Sequence, residues 1–407
     1  MNEEGNGYKI YRMNEIHNML ADTDVDKFAD ITTQEAIKYQ LEHNDVLFNR
    51  TNSQEWVGRT GIFKKTTEDL FIFASYLLRL KTDENKILPE YLTTFFNSRI
   101  GIWDLKRRAR ISINQSNINA EEVKAIKIPL LSMHFQLQLR CLFDKAHEKR
   151  IKSQQLYASA EQLLLSELGL LNWQPDNQNK NIKRFSDFQT SRRLDAEYYQ
   201  PRYEKFEKSI KNYHGGYAFI GDEFQQNKIT IDYSEEQYSY IEIGDISISD
   251  GSYVTNVIQT NKLPANAKIK STINDILIST VRPNRGAVAI IKENIPNLVV
   301  SGAFTVLREE TKFKKEVLVL LLRTEQYKDY LMKTNVGSSY PVINDNDILN
   351  LPIPLIDISL QKRLASLLDK SFSLRSESER LLTLAKEAVE TAIEQGEKKA
   401  LKMLEGK

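Results

Sequence analysis

The sequence predicts an α+β protein: two tandem mixed α/β domains joined by two long helices of the coiled-coil kind. Three observations carry that reading. Positions 129, 136 and 144 recur in kind at 354, 361 and 369, a constant shift of 225 residues, so the chain is a duplication. Each copy opens in short apolar runs broken by Gly, Pro and Asn, the pattern of strands and turns. Each copy closes in sustained heptads with charged flanks.

The repeat is domain-sized. Ile126-Lys127-Ile128-Pro129-Leu130-Leu131 matches Leu351-Pro352-Ile353-Pro354-Leu355-Ile356, Gln136 matches Gln361, and Leu142-Phe143-Asp144-Lys145 matches Leu367-Leu368-Asp369-Lys370. Upstream, Asn44-Asp45-Val46-Leu47 pairs with Asn274-Asp275-Ile276-Leu277, and Tyr8 to Tyr11 with Tyr238 to Ile241. Ordered matches over two hundred residues exclude a short solenoid repeat.

Taken in order, residues 1–131 form the first mixed domain and 132–171 the first long helix. A polar, proline-punctuated linker follows at 172–182, then the second domain at 183–356 and the second long helix at 357–407. Within each domain, strands such as Asp275 to Thr280 and Ala287 to Ile291 precede a helix of roughly twenty residues, Pro89 to Arg107 or Lys315 to Lys333, with apolar residues at helical spacing. Pro129 and Pro354 make the next stretch an extended lead-in. In the closing helices, Phe135, Leu139, Leu142, Ala146, Leu156, Ala160 and Leu163 follow four-three spacing, as do Leu360, Leu364, Leu367, Leu374, Leu381, Ala385, Ala388 and Ala392. Lys149, Ser153, Ser371 and Ser378 fill the remaining heptad positions, a polar layer that favours two partners in fixed register over a helix lying on one core.

The composition is that of a globular protein, with 41% hydrophobic and 27% charged residues. No apolar run approaches the ~18–20 residues needed to cross a bilayer. The single cysteine, Cys141, excludes an internal disulfide, fits a cytoplasmic protein, and reads as a buried structural thiol. Net charge is near zero, 56 Lys and Arg against 55 Asp and Glu, so a nucleic-acid role requires that basic residues cluster.

Catalytic constellations are missing from the sequence. His17, His43, His134, His147 and His214 lie far apart, so no metal site is expected. Phosphate loop, dinucleotide fingerprint and Gly-x-Ser-x-Gly elbow are all lacking, and no cofactor is expected. Asp45 and Asp275 recur, but each stands where a carboxylate bonds turn backbone.

Polar loops carry the recognition chemistry. Asn49 to Arg59 offers Arg50, Asn52 and Arg59; its partner loop offers Arg282, Asn284 and Arg285. Arginine can donate two bonds to guanine, and Asn or Gln can pair doubly with adenine. The helix ending in Lys106, Arg107, Arg108 and Arg110 suits phosphate contact, beside a polar loop with Asn114 and Gln115. In the second copy the corresponding loop carries Ser338 and Tyr340. A polar hairpin and a helix end satisfying its own dipole are the plain alternatives.

Two strand-rich modules, each followed by an Ile-Pro lead-in, a glutamine seven residues on and a long helix, resemble the specificity subunit of Type I restriction-modification systems. Ile343-Asn344-Asp345-Asn346-Asp347-Ile348 running into Ile353-Pro354 and Gln361 is similar to that family's most recognisable stretch, as is Arg193-Leu194-Asp195-Ala196-Glu197-Tyr198-Tyr199. The resemblance implies two target-recognition domains, each reading half of a split site in double-stranded DNA. It implies that the long helices pack antiparallel as a spacer, that two methyltransferase subunits and a restriction subunit dock on the scaffold, and that the chain itself is no enzyme. One departure stands out. Lys183 to Gln237, 55 residues, precede the point aligned with Tyr8, where the first copy has seven, so the first domain is expected to be shortened. The competing reading is a coiled-coil adaptor whose strand modules bind protein; a nuclease or methyltransferase in its own right would need a cofactor or metal.

Overall fold

The computed structural model describes residues 5–21, 25–112, 115–175, 178, 180–337 and 340–405. The chain forms two compact units, Met1–Gln155 with Ser371–Lys407, and Leu156–Lys370.

In the first unit the strand Tyr8–Tyr11 lies between Phe28–Ala29, antiparallel, and Phe71–Phe73, parallel with Lys9 opposite Phe71. A second sheet runs Ile16–His17, Leu20–Ala21, Thr60–Ile62, Val46–Asn49, Leu77–Leu80. The second unit repeats both arrangements. Gln237–Ile241 lies between Asn256–Gln259 and Leu298–Ser301, again antiparallel and parallel. Ile276–Ser279 lies between Val288–Ile290 and Phe304–Glu310, as Val46–Asn49 does between its neighbours. Val46–Asn49 and Ile276–Ser279 are buried at every position, which explains their unbroken apolar runs. Just before each, Asn44 (φ 71°) and Asn274 (φ 73°) take the left-handed conformation that asparagine tolerates. Asp45 then accepts the Glu42 N–H at 2.7 Å, and Asp275 the Thr272 N–H at 2.9 Å. Both carboxylates hold turn backbone.

The helix expected over Pro89 to Arg107 is two helices, Pro89–Asn97 and Arg99–Arg108, and its counterpart breaks likewise between Lys315–Arg323 and Glu325–Tyr330. The break falls at Ser98 and Thr324, both extended. Ser98 Oγ accepts the Gly101 N–H at 3.2 Å and Thr324 Oγ1 the Tyr327 N–H at 3.4 Å, so each ends one helix and caps the next. Hydrophobic periodicity runs through the break and hides it.

The recurring glutamines stand in the first turns of the long helices, Met133–Glu167 and Ile358–Gln395. Gln136 Oε1 accepts the Leu88 N–H at 2.7 Å, while its Nε2 donates to Leu131 O at 3.0 Å and Lys86 O at 3.1 Å. Gln361 does the same, accepting the Lys314 N–H at 2.8 Å and donating to Ile356 O at 2.8 Å. Leu88 and Lys314 are the N-caps of the preceding helices and lack a capping side chain of their own. One buried amide thus ties each long helix to the start of its domain's helix pair and to the lead-in. A recurring ion cluster reinforces the joint. Lys64 meets Glu90 at 3.0 Å and Asp144 at 3.2 Å; Lys292 meets Asp369 at 3.0 Å and Glu316 at 3.6 Å.

Within the first unit the two long helices run antiparallel. Ser153 and Ser371 each donate a hydroxyl hydrogen bond to the other's carbonyl at 2.8 Å, and Ser378 donates to Ala146 O at 2.7 Å. Phe135, Leu139 and Leu142 share a core with Leu381, Ala385, Ala388 and Val389. The serine layer lets the backbones approach closely while leaving no hydroxyl unpaired. Cys141, expected to be buried, is exposed, because the face carrying Leu139, Leu142 and Ala146 turns it outward.

The second unit's opening segment packs onto its own domain. The helix Pro201–Lys211 sets Phe206 against Tyr327 and Tyr330, both at 5.0 Å between ring centroids, and Tyr217–Phe219 pairs with the lead-in strand Pro352–Pro354. The first unit's cores are built from Tyr11, Leu47, Phe63 and Phe71 and from Phe48, Phe95, Phe96 and Leu105. Among the described residues its lead-in has no strand partner, and Leu130 is 69% exposed.

Two substitutions test this packing. Gln136→Ala removes the acceptor of a buried N–H and is expected to lower unfolding free energy by about 1–3 kcal/mol in urea titration. An unchanged midpoint would contradict the clamp. Ser371→Leu crowds the close approach and is expected to cost about 1–3 kcal/mol, read as a lower thermal midpoint; a more stable variant would show that the serine layer is not tightly packed.

Candidate nucleic-acid interface

In the first unit the two polar stretches meet in one small sheet. Arg110–Ile111 pairs with Ser116–Asn117, which pairs with Thr51–Asn52. Arg110 stands opposite Asn117 and Asn52 opposite Ser116, and Asn117 Nδ2 donates to Thr51 Oγ1 at 2.6 Å. Gln115 lies exposed at the turn, where its carbonyl accepts the Ser112 N–H at 2.8 Å. Asn114 lies outside the described residues. Arg50 is fixed through its backbone, donating to Tyr76 O and accepting from the Ile118 N–H. The side chains of Arg50 and Arg110 have no hydrogen-bond or ion-pair partner among the described residues.

The rest of the basic run is already engaged. Lys106 reaches from its helix under the neighbouring loop, donating to the carbonyl of Gln54, to Glu55 O at 2.7 Å and to Val57 O at 3.3 Å. Burial lowers its pKa. Arg107 pairs with Asp104 and lies 5.4 Å from the Trp103 ring centroid; Arg108 bridges Asp104 at 3.1 Å and Glu122 at 3.0 Å. Partial burial would raise the Asp104 pKa, but hydrogen bonds from Arg107 and Arg108 hold it below the usual carboxylate range. Of the four charges, Arg110 alone stands in the polar sheet, exposed and with no acidic partner among the described residues.

Arg59 lies over the indole of Trp56 with its guanidinium carbon 3.7 Å from the ring centroid, and it donates to Ile16 O at 3.1 Å. Burial lowers its pKa. Trp56 remains 45% exposed, so one face of a guanidinium–aromatic pair is open to a ligand. Trp56 escapes a search for hydrogen-bonding side chains; its place three residues before Arg59 in a polar loop is the signal that could have found it.

The second unit reaches a similar pair from different positions. The guanidinium of Arg282 lies 4.3 Å from the ring centroid of Tyr340, which is 61% exposed. In the repeat alignment Arg59 corresponds to Ala287, so the two pairs are not copies of one another. Arg282 takes a left-handed conformation (φ 50°) and donates its N–H to Pro341 O at 2.7 Å, joining the two loops at their bases. The short turn Pro283–Arg285 then projects Asn284 and Arg285 outward; neither side chain has a hydrogen-bond partner among the described residues. Ser338 lies outside the described residues.

Arg323, also missed in the sequence, holds this loop from below. It is buried, and its guanidinium donates to Gly286 O at 2.8 Å, to Ile248 O at 3.0 Å and to the Tyr157 hydroxyl at 2.9 Å. In the first unit Asn97 serves the equivalent place with one bond to Thr60 O at 2.8 Å. A change from Asn to Arg at a repeated helix end is the available signal. Among the described residues no group of three or more His, Cys, Asp or Glu is placed to hold a metal ion, and no helix is long and apolar enough to cross a membrane.

No protein-family model matches the chain. Three curated proteins show similarity of one kind. A putative Type I restriction enzyme MjaX specificity subunit from Methanocaldococcus jannaschii is 33% identical over 139 residues, 34% of this chain and 32% of that protein. The Type I restriction enzyme EcoKI specificity subunit of Escherichia coli is 27% identical over 125 residues, 30% of this chain and 27% of that one. The StySPI specificity subunit of Salmonella potsdam is 28% identical over 109 residues, 27% of this chain and 24% of that one. The matched segment therefore spans about a quarter to a third of each relative. Among solved structures, the Type-I restriction-modification system S subunit from M. genitalium aligns with 99% of this chain and 90% of its own length, at 13% identity and a TM-score of 0.41. Over about a third of its length the chain is thus similar in sequence to specificity subunits of Type I restriction enzymes.

Proposed function

We propose that this chain is the DNA-specificity subunit of a Type I restriction-modification system. Each unit reads one half of a split site, and the chain serves as the cytoplasmic scaffold on which two methyltransferase subunits, and a restriction subunit, assemble. It binds and positions; the methylation and cleavage chemistry belongs to its partners.

One observation carries the reading. Each unit carries a guanidinium–aromatic pair on a loop, Arg59 on Trp56 and Arg282 on Tyr340, together with side chains that have no partner among the described residues: Arg50, Arg110 and Gln115 in the first unit, and Asn284 and Arg285 in the second. Arginine and amide side chains supply the bidentate donors that base edges require, and a free guanidinium supplies phosphate attraction. Two dissimilar platforms on similar frames are what two unrelated half-sites call for. The duplicated glutamine clamp supports the same reading, since it holds each platform's helix pair to a long helix.

The test is selection from a pool of random DNA duplexes by the full chain assembled with Type I methyltransferase subunits. The expected product is a motif in two parts separated by a fixed gap. Arg282→Ala is expected to relax one position of one half by about 1–3 kcal/mol and leave the other half intact. Arg110→Ala is expected to weaken all duplexes alike and to lower the salt slope by about 1. No enrichment, with affinity insensitive to salt, would favour the adaptor.

A further inference from the structure

Arg193 and Asp195 lie far in sequence from the loops of the second platform, yet they hold its neck. Arg193 makes a two-pronged ion pair with Asp195, Nε to Oδ1 at 2.6 Å and Nη2 to Oδ2 at 2.7 Å. The same guanidinium donates to the carbonyls of Thr334 at 3.1 Å and Asn335 at 3.0 Å and lies 5.2 Å from the Tyr198 ring centroid. Thr334 ends a short helical turn, Leu331–Thr334, and the chain leaves it towards Tyr340. Asn335 then closes the neck. Its Oδ1 accepts the N–H groups of Gly337 and Val342, both at 2.9 Å, and its Nδ2 donates to Gly337 O at 2.8 Å. Gly337 packs so closely that a Cβ there would sit 2.0 Å from the Tyr340 carbonyl oxygen. On the far side, Val342 bridges Val281, and Arg282 bonds Pro341 and lies under the Tyr340 ring.

A continuous set of fixed contacts therefore runs from Arg193 to the Tyr340–Arg282 pair. The guanidinium fork matters, because its separate N–H groups engage two carbonyls and both oxygens of a carboxylate at once, and an ammonium cannot reproduce that geometry. In the first unit the polar loop is pinned by pairing with Thr51–Asn52.

We propose that Arg193, oriented by Asp195 and acting through Asn335 and Gly337, is a positioning residue that sets the Tyr340–Arg282 pair for base reading by the second unit alone. The proposal rests on the DNA-reading function above and adds which residues hold the second reading loop in register. Arg193 itself touches no base in this account.

Two measurements test it on the full chain. The first needs no DNA. With 3-fluorotyrosine incorporated and the Tyr340 signal assigned by its loss in Tyr340→Phe, the fluorine NMR resonance of Tyr340 is expected to shift in both Arg193→Lys and Gly337→Ala, while the thermal midpoint stays close to that of the parent. An unmoved resonance in both variants overturns the proposal. The second is duplex selection with methyltransferase subunits bound. Arg193→Lys is expected to cut discrimination at one half-site about tenfold, with the other half-site and the salt slope unchanged. Equal loss at both half-sites, or none at either, overturns the proposal, since a purely structural role would not be confined to one half. If the resonance shifts but the parent protein selects no DNA, the DNA-reading function fails while the positioning contact stands.

Discussion

The structure depends on one buried amide used twice. Gln136 and Gln361 stand at the start of the long helices, and each satisfies both the orphan N–H of the preceding helix pair and a carbonyl of the lead-in. A glutamine can do this because its side chain offers an acceptor and a donor at opposite corners of a plane. Leucine in the same space would leave a buried N–H and a buried carbonyl unpaired, at a cost comparable to a large part of a domain's net stability. The clamp therefore fixes the long helix relative to the helices that carry Lys106 and Arg323, and through them the loops above. The Lys–Glu–Asp clusters beside each clamp act on the same joint with longer reach and less geometric precision.

Charge is used locally before it is presented to a ligand. Basic residues such as Arg108 and Lys333 are spent on Asp104, Glu122 and Glu207 within the fold. Arg59 and Arg282 stand on loops whose shape is set from beneath: by Lys106 and Asn97 in the first unit, by Arg323 and Arg193 in the second. The frame is the same in both units while the supports differ in kind. That division lets the two loops diverge without disturbing the strands that hold them.

Much of this was legible in the sequence, and what was not has identifiable causes. The 225-residue repeat foretold two units of matching strand order, because the order follows from which apolar runs recur. Heptad spacing foretold the long helices, and the polar positions Ser153, Ser371 and Ser378 are where their backbones meet in the first unit. The breaks at Ser98 and Thr324 were hidden, since a capping residue interrupts the backbone without interrupting hydrophobic spacing. Cys141 was misjudged because apolar neighbours in sequence lie on different faces of a helix. Loop composition singled out Arg59 and Arg282 as candidates but gave no sign that each lies on an aromatic ring. Arg193 and Arg323 were invisible as supports, because their partners are backbone carbonyls far away in sequence.

The central claim is that two units of one design, with dissimilar loops, read two halves of one DNA site on behalf of an enzyme bound to the same chain. Its most direct test is to express the chain with Type I methyltransferase subunits in cells lacking other methylation and to sequence modified bases across the genome. The account predicts methylation at a split motif with a fixed gap, dependent on this chain. Methylation of an uninterrupted motif, or a pattern unchanged when the chain is withheld, would contradict it.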